Sequence, residues 1–421
     1  LYTLLVRGNS LLEVPAGLHL LTALQRLDLS DNCIASVHED AFQGLSRMKT
    51  LLLSYNELEA LPPQSFASMD SLSHLMLHHN ALTALPPSTA ALTSLRVLDA
   101  SYNLIDGLLP ASLTGLTNLT ELNLSFNRIC QLPDELAALV QLRKLTLGHN
   151  DLRALPASMT ALVDLMEVDL SWNRFSYGGA NSAYGEGQPE SQSSDQAAEQ
   201  CAEEGDGCGV LWQIPSLEIL SLACNDLAEL PEHAFARLTN LRKLCLASNC
   251  FTNAGLPLLG PSMAEEETSA GGDGEDDGVE KKESSRPACV LELVALTDNY
   301  LTEVPLAQLQ PAKDSLQTLL LSSNPIGQLP VGLNEFTALE HLCVTAMNWE
   351  GGYDPEDAGE MTGDKEATDV AEVAEEKDGR DESAADADDA AETAHDNCGL
   401  GEEAAKNADK GGEGEEKEEE E

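Results

Sequence analysis

Apolar residues recur along this chain in one fixed frame, L-x-x-L-x-L-x-x-N-x-L-x-x-L-P-x-x-L-x-x-L, every 23 to 25 residues where the frame is uninterrupted. Residues 119–139 carry a full copy, with Asn127 at the ninth position. The asparagine returns in phase twelve times: Asn9, Asn32, Asn56, Asn80, Asn103, Asn127, Asn150, Asn173, Asn225, Asn249, Asn299 and Asn324. A thirteenth copy begins at Leu339. Self-similarity at this period predicts a repeat architecture.

Each position of the frame has a physical role. Positions 4 and 6 lie on one face of a short strand, because side chains in a strand alternate with period two. The position-9 asparagine is expected to turn inward and satisfy backbone donors and acceptors of adjacent turns. The following proline fixes φ and starts the return segment, whose leucines close the core from behind. One repeat buries too little to fold alone, so neighbouring repeats must share a core.

This frame resembles the leucine-rich repeat. The L-P-x-x-L return of most copies is similar to the intracellular Ras-group repeats, whereas residues 41–45 and 234–238 are similar to the A-F-x-x-L form that is frequent outside cells. The resemblance implies an α/β horseshoe solenoid of about 12–13 repeats with a parallel concave sheet. It also implies a non-catalytic, protein-binding role.

Three acidic segments interrupt or follow the repeats. Residues 177–213, 258–288 and 350–421 are rich in Gly, Ser, Ala and acidic residues and have few large apolar ones. Such composition cannot repay the entropy of ordering, so all three are predicted to be disordered. The predicted organisation is a solenoid over 1–349 with two acidic insertions, followed by an acidic tail over 350–421.

The net charge of −49 bears on partners. Nucleic acid and anionic membrane surfaces are unfavourable, since both are bound mainly through Lys and Arg. No apolar run is long enough to span a bilayer. Ten cysteines lie scattered without C-x-x-C pairs, which favours a reducing compartment. We therefore expect a cytoplasmic protein, with the nucleus as the alternative.

Catalytic and cofactor motifs are absent from the sequence. Residues 273–278 resemble the opening of a calcium loop, but the twelfth position is Ser284 where a glutamate is required. His74 and His78 face the same side of one strand, yet no third ligand recurs beside them. The sequence predicts no enzyme, no cofactor and no metal site.

The strongest sequence clue to a binding site is a column of rings at position 8. Six successive repeats contribute to it: Tyr55, His79, Tyr102, Phe126, His149 and Trp172. At about 4.8 Å between strands, the column is roughly 24 Å long. Basic residues are expected on the same concave face: Lys49, Arg96, Arg143 and Lys144. Two interpretations stay open, a ridge packed for structural reasons and a contact surface rich in hot-spot residues.

The functional hypothesis is an adaptor whose protein partner docks on the concave face, with Tyr102, Phe126 and Trp172 as anchors. The Ras-group resemblance suggests small-GTPase, kinase or phosphatase signalling. One alternative is an acidic-tailed chaperone of basic proteins such as histones. A leucine-rich solenoid followed by an acidic tail resembles the acidic nuclear phosphoproteins that have this role. Another is a receptor ectodomain.

Overall fold

The computed structural model describes residues 1–108, 113, 115–177, 207–261 and 289–345. Thirteen three-residue strands form one sheet, and each pairs in parallel with the strand of the next repeat. In chain order they are Thr3–Leu5, Arg26–Asp28, Thr50–Leu52, His74–Met76, Val97–Asp99, Glu121–Asn123, Lys144–Thr146, Glu167–Asp169, Ile219–Ser221, Lys243–Cys245, Leu293–Ala295, Thr318–Leu320 and His341–Cys343. The predicted parallel sheet and repeat number are confirmed.

The register of the sheet brings the same frame position of every repeat side by side. Leu98 pairs with Leu122, and Leu122 with Leu145. Because strand side chains alternate, positions 4 and 6 point together into one interior. That interior is a single apolar cluster running from Val14 to Phe336. The other face of the sheet stays open, and it is the face on which a partner is expected.

The return segments are short and mostly 3-10 helical. Five-residue 3-10 helices span Pro87–Ala91, Asp134–Ala138, Ala157–Ala161 and Val331–Glu335, and shorter ones span Leu18–Leu20, Leu211–Gln213 and Gln310–Ala312. The proline of the L-P pair stands before each five-residue helix in extended conformation, for example Pro133 at φ −76° and ψ 150°. Among the described residues the α-helical part of the predicted α/β class is one turn, Leu306–Leu309.

Two further strand pairs lie outside the main sheet. Asp106–Leu108 pairs in parallel with Arg128–Gln131, and Ser176–Tyr177 with Asp226–Leu227. The described part of the chain contains no helix that is both long and apolar enough to cross a membrane.

The predicted insertion boundaries were too wide. Tyr177 belongs to a strand, and residues 207–213 form the return of the eighth repeat, in which Leu211 is fully buried and Trp212 nearly so. Leu259 is likewise fully buried in the core. Composition averaged over the acidic segments hid these few apolar anchors. The rest of both insertions and the predicted tail lie outside the described residues.

Consecutive turns are joined by the position-9 asparagines. The Nδ2 of Asn127 donates to the carbonyl oxygens of Leu124 and Ser125 in its own turn and of Ala100 in the preceding turn, at 2.9–3.1 Å. Its Oδ1 accepts from the backbone N–H of Ile105 at 3.0 Å. Asn32 to Asn324 repeat this arrangement, and all are buried except the half-buried Asn80.

The asparagine ladder continues across both insertions. Asn225 accepts from the N–H of Phe175 at 3.0 Å, although 50 residues separate them. Asn299 accepts from the N–H of Phe251 at the same distance. At the first repeat the ladder ends: Asn9 is exposed and bonds only to Val6 and Arg7 of its own turn. The predicted inward orientation is confirmed for the eleven asparagines from Asn32 to Asn324, and it is wrong for Asn9, which has no preceding described turn to join.

Replacing Asn127 with Ala should strongly destabilise the solenoid. The substitution leaves the N–H of Ile105 without its partner, which costs about 1–3 kcal/mol, and it removes one of the two donors of each of three carbonyls, at about 0.5–1.5 kcal/mol per lost hydrogen bond. We expect a loss of at least about 3 kcal/mol in the free energy of unfolding, measured by urea denaturation. Asn9→Ala is the matched control and should cost under about 1 kcal/mol. Equal effects of both substitutions would contradict a ladder that joins turns.

Candidate functional site

The ring column stands at a backbone position with unusual geometry. In repeats 2 to 12 the position-8 residue adopts a left-handed conformation, with φ between 50° and 56°. The left-handed region costs an L-residue roughly 1–2 kcal/mol, and large ring residues gain no local compensation there. Tyr102 at φ 50° and Trp172 at φ 53° therefore need the surrounding structure to hold them.

Backbone hydrogen bonds hold this conformation. The N–H of Tyr102 donates to the carbonyl of Ser125 at 3.0 Å, and the N–H of Asn103 to the carbonyl of Phe126 at 3.1 Å. The same pair of bonds links neighbouring repeats all along the ring column, so the sheet-like ladder continues past the end of each strand. Every position-8 side chain consequently leaves the backbone in the same direction.

The six side chains form one continuous stack, here called the ring ladder. Neighbouring planes lie within 10–15° of parallel. Successive ring centroids are 4.3, 4.1, 4.0, 3.9 and 4.9 Å apart from Tyr55 to Trp172. The structure thus brings all six predicted ring residues together.

Stacking decides which parts of the rings a partner could reach. The faces of the four inner rings are covered by their neighbours, so only their edges are open. Tyr55, Tyr102 and Trp172 remain 50%, 41% and 37% exposed, whereas Phe126 is half-buried. Burial raises the pKa of Tyr102, and Tyr55 adds to that shift, so the Tyr102 hydroxyl stays protonated as a donor. The two interpretations of the column are therefore compatible, because the ring faces pack against each other and the ring edges remain open to a partner.

The predicted basic residues lie away from the ring ladder. Exposed basic residues occupy position 2, just before the strand begins: Lys49, Arg96 and Arg143. They lie at the N-terminal ends of the strands, whereas the ring ladder lies beyond the C-terminal ends. Six residues separate positions 2 and 8, which corresponds to at most about 20 Å at 3.3 Å per residue. Ring ladder and basic residues therefore form two edges of one concave surface.

An open depression of about 390 Å³ lies on the concave surface at its basic side. On its floor the Lys144 Nζ pairs with Glu167 Oε1 at 2.8 Å. It is lined by positions 2 and 3 of four neighbouring repeats: Thr120, Glu121, Arg143, Lys144, Met166, Glu167, Glu218 and Ile219. Of these eight residues, only Arg143 and Lys144 are among the predicted binding residues. The remaining lining residues share their frame positions, which is the signal that would have identified them.

A second feature missed from the sequence is the environment of His78 at one end of the ring ladder. Its ring meets Tyr55 edge-on, with centroids 5.4 Å apart. Its Nδ1 is 3.5 Å from Asp99 Oδ2. Asp99 also accepts from the N–H and hydroxyl of Ser101 at 2.9 and 2.7 Å. His78 and Asp99 thus extend the ring ladder onto the concave face.

Removing an inner ring should cost more stability than removing an end ring. Phe126 stacks on two rings, whereas half-exposed Tyr55 stacks on one and meets another only edge-on. At about 0.5–1.5 kcal/mol per aromatic pair, Phe126→Leu should lower the free energy of unfolding by about 1–3 kcal/mol. Tyr55→Leu should cost about half as much. Urea denaturation of both variants measures this; a larger loss for Tyr55→Leu would refute the stacked arrangement.

His79 should make the solenoid less stable in mild acid. Burial, aided by His78, lowers the pKa of His79, while nearby Asp99 opposes the shift. The unfolded chain therefore binds a proton more readily than the folded chain. Stability from this group is present above the unfolded pKa of about 6.5 and is lost as pH falls below it. His79→Phe keeps a ring but cannot titrate.

The test compares the free energy of unfolding at about pH 7.5 and about pH 5. Other groups titrate in both proteins, so the quantity of interest is the difference between their pH dependences. The decrease on acidification should be smaller in His79→Phe than in the parent chain. An equal or larger decrease in the variant would show that His79 is not the destabilised group.

Comparison with known proteins gives the same fold. A family model described as leucine rich repeat matches five times, over residues 1–58, 22–82, 46–105, 70–129 and 117–175. No curated protein is similar enough in sequence to count as a match. Structural comparison supplies the relatives.

Three solved structures illustrate the similarity. A leucine-rich-repeat protein of Leptospira interrogans has 23% identity and a TM-score of 0.57, covering 83% of this chain and 80% of its own. An internalin of Listeria monocytogenes has 18% identity and a TM-score of 0.51, with coverages of 72% and 68%. A TDR receptor has 19% identity and a TM-score of 0.52, with coverages of 82% and 56%.

Those identities are low enough that the likeness concerns the fold alone. It agrees with the frame, the parallel sheet and the asparagine ladder, and it does not distinguish the Ras-group form from other forms of the repeat. On these observations residues 1–175 belong to the leucine-rich-repeat family, and the described chain as a whole has the leucine-rich-repeat fold.

Proposed function

We propose that this solenoid is a non-catalytic adaptor that binds one protein partner across the concave face of repeats 3 to 8. Leucine-rich-repeat folds act as protein-interaction scaffolds, and no residue set described above supplies an activated nucleophile. The observation that carries the proposal is the ring ladder. It presents the edges of Tyr55, Tyr102 and Trp172 along one rigid line beside an open, charged surface.

Rigidity is what makes these rings suitable anchors. An exposed aromatic side chain normally loses rotamer freedom on binding, which lowers affinity. In the ring ladder that freedom is already lost, because each ring is held by its neighbours and by a fixed left-handed backbone. Aromatic residues held in this way are typical binding hot spots.

The charged surface supports specificity. Exposed Lys49, Arg96 and Arg143 line one edge, and the Asp99 carboxylate lies near the other. A partner with acidic groups facing the basic residues and an apolar strip facing the ring ladder would be fixed in one orientation. We propose a cytoplasmic setting and a signalling partner, in keeping with the resemblance to Ras-group repeats.

Site-specific photo-crosslinking tests the docking face. A benzophenone amino acid is placed in the full chain at Thr146 on the concave face, at Tyr102 on the ring ladder, or at Val163, a 65% exposed residue on the return side. The proposal expects one protein to be crosslinked in cells from both Thr146 and Tyr102 but not from Val163. Crosslinks to that protein from all three positions would point to nonspecific proximity and against the proposed face.

A binding measurement with that purified protein completes the test. Thr146→Arg places a bulky side chain on the concave face, whereas Val163→Arg adds the same side chain to the return side. Calorimetry should show affinity reduced at least about tenfold by Thr146→Arg, which is about 1.4 kcal/mol, and unchanged by Val163→Arg. Unchanged binding to Thr146→Arg would overturn the proposal.

A second candidate function rests on charge. Residues 350–421 contain 29 acidic and six basic residues, and such a segment would attract basic proteins. Deleting 350–421 separates the two functions: binding of histones should disappear, whereas binding of the crosslinked partner should persist.

A further inference from the structure

The residues at position 2 of successive repeats form one hydrogen-bonded column, here called the position-2 column. The N–H of each donates to the carbonyl oxygen of the position-2 residue one repeat earlier, at 2.8–2.9 Å from Ser73 to Glu218. Neighbouring members are therefore about 4.8 Å apart, which is the spacing of hydrogen-bonded strands. Over repeats 3 to 9 the column consists of Lys49, Ser73, Arg96, Thr120, Arg143, Met166 and Glu218.

Charged and uncharged side chains alternate along this part of the column. The residues between the charged ones are short or apolar, and two of them are bonded to the backbone. Ser73 Oγ donates to the carbonyl of Lys49 at 2.9 Å, and Thr120 Oγ1 donates to the carbonyl of Arg96 at 3.0 Å. Neighbouring charged members are consequently about 9.6 Å apart, twice the strand spacing. A charged side chain stands at every second repeat: Lys49, Arg96, Arg143 and Glu218.

These four side chains are available to a ligand, since none has an ion-pair partner among the described residues. Neighbouring charges are largely paired within the protein. At position 3, Lys144 pairs with Glu167 at 2.8 Å and lies opposite Glu121 in the sheet register. Further along the column, Arg242 pairs with Glu292 at 2.8 Å. The unpaired charges of repeats 3 to 9 therefore dominate what a ligand meets along the column.

The sign of the charge changes once along these repeats. Three basic members are followed by one acid, and Arg143 and Glu218 line the same open depression. One ligand segment can therefore reach both sides of the change. A uniform polyanion, such as a nucleic acid or a sulfated glycan, would be repelled by Glu218. The column thus favours a polypeptide segment that carries charges of both signs.

The distance between the charges favours one backbone conformation of that segment. In a polyproline II helix, side chains return to the same face at every third residue, after about 9.3 Å. A β-strand returns at every second residue, after about 6.7 Å. An α-helix advances about 5.4 Å per turn, so two turns cover about 10.8 Å. The polyproline II repeat is the closest to the spacing of the column.

We propose that the position-2 column binds an extended segment of the partner in which three acidic residues and one basic residue stand at every third position. The acids lie opposite Lys49, Arg96 and Arg143, and the base lies opposite Glu218. The inference rests on the proposed function, because the segment is taken to belong to the docked protein. It adds the spacing, the conformation and the charge order of that segment.

The experiment uses the full chain and synthetic peptides, so it needs no knowledge of the partner. The probe EPPEPPEPPK carries its charged residues at every third position. The matched control EPEPEPPPPK has the same composition and net charge, but its acids are two residues apart. Because the column does not fix the direction of the bound chain, both peptides are also made in reverse order. All carry a neutral dye and blocked termini, which removes the terminal charges.

The Kd of each peptide is measured by fluorescence anisotropy at low ionic strength, where exposed ion pairs are least screened. The probe should bind more tightly than the control, because all four of its charges meet their partners together. Exposed pairs are individually weak, so we expect a difference of at least about threefold, in one of the two chain directions.

Charge reversal at Arg96 tests the order of the charges. Arg96→Glu should weaken binding of the probe about three- to tenfold, since one attraction is lost and one repulsion is gained. The peptide EPPKPPEPPK, in which lysine replaces the second acid, should bind this variant more tightly than the parent chain. Arg96→Gln is a milder change and should weaken binding of the probe about two- to threefold. Circular dichroism checks that each variant is folded.

Arg128 provides the matched control variant. It is an exposed arginine at position 10 of repeat 6, beyond the ring ladder. Arg128→Glu changes the net charge by the same amount as Arg96→Glu. It should leave the Kd of the probe within about twofold, because the site lies away from the column and acts only through the long-range field.

Equal binding of the probe and its control in both directions, or no binding of either, would overturn the inference. Equal effects of Arg96→Glu and Arg128→Glu would overturn it as well. Tighter binding of a polyglutamate peptide of the same length would indicate a general anion surface and would also contradict it. The crosslinking test of the docking face uses the partner itself and none of these peptides, so failure of the inference is distinguishable from failure of the proposed function.

Discussion

The buried asparagine side chain is the interaction on which the structure depends. Each turn leaves backbone donors and acceptors in the interior, where an unpaired polar group is costly. One amide at position 9 serves three carbonyls and one N–H in two consecutive turns. Stacking is therefore a condition for satisfying each turn. The leucines that surround the asparagine supply the apolar burial but do not fix the relation between turns.

The buried asparagine also constrains the residue before it, at position 8. In every repeat from 2 to 12 the position-8 residue adopts φ near 53°, and its N–H donates to a carbonyl of the next turn. Six ring residues at that position are brought to stacking distance, and their faces are used within the protein. Only edges, and the faces at the two ends, remain for a partner. The same constraint thus produces both the stability of the ladder and its binding surface.

Much of the fold was predictable from the sequence because the frame is periodic. The regular spacing of the asparagines predicted the parallel sheet. The alternation of apolar and polar residues along each strand predicted the inward-facing leucines. The column of Tyr55 to Trp172 was also visible, but its stacking was not, because ring orientation depends on a backbone angle that spacing does not encode. The edges of the insertions were misjudged at Leu211 and Leu259, where single apolar residues act through contacts distant in sequence. The separation of Lys49 and Arg96 from the ring ladder was missed because positions 2 and 8 were treated as one face.

The asparagine ladder makes the described repeats one continuous scaffold across both insertions. Hydrogen exchange of the backbone amides tests this most directly. The N–H groups of Phe175 and Phe251 are bonded to asparagines beyond the two insertions. They should exchange as slowly as those of Ile105 and Ile129, which are bonded within the uninterrupted repeats. Rapid exchange at Phe175 and Phe251, with slow exchange elsewhere, would show that the solenoid is broken into separate blocks.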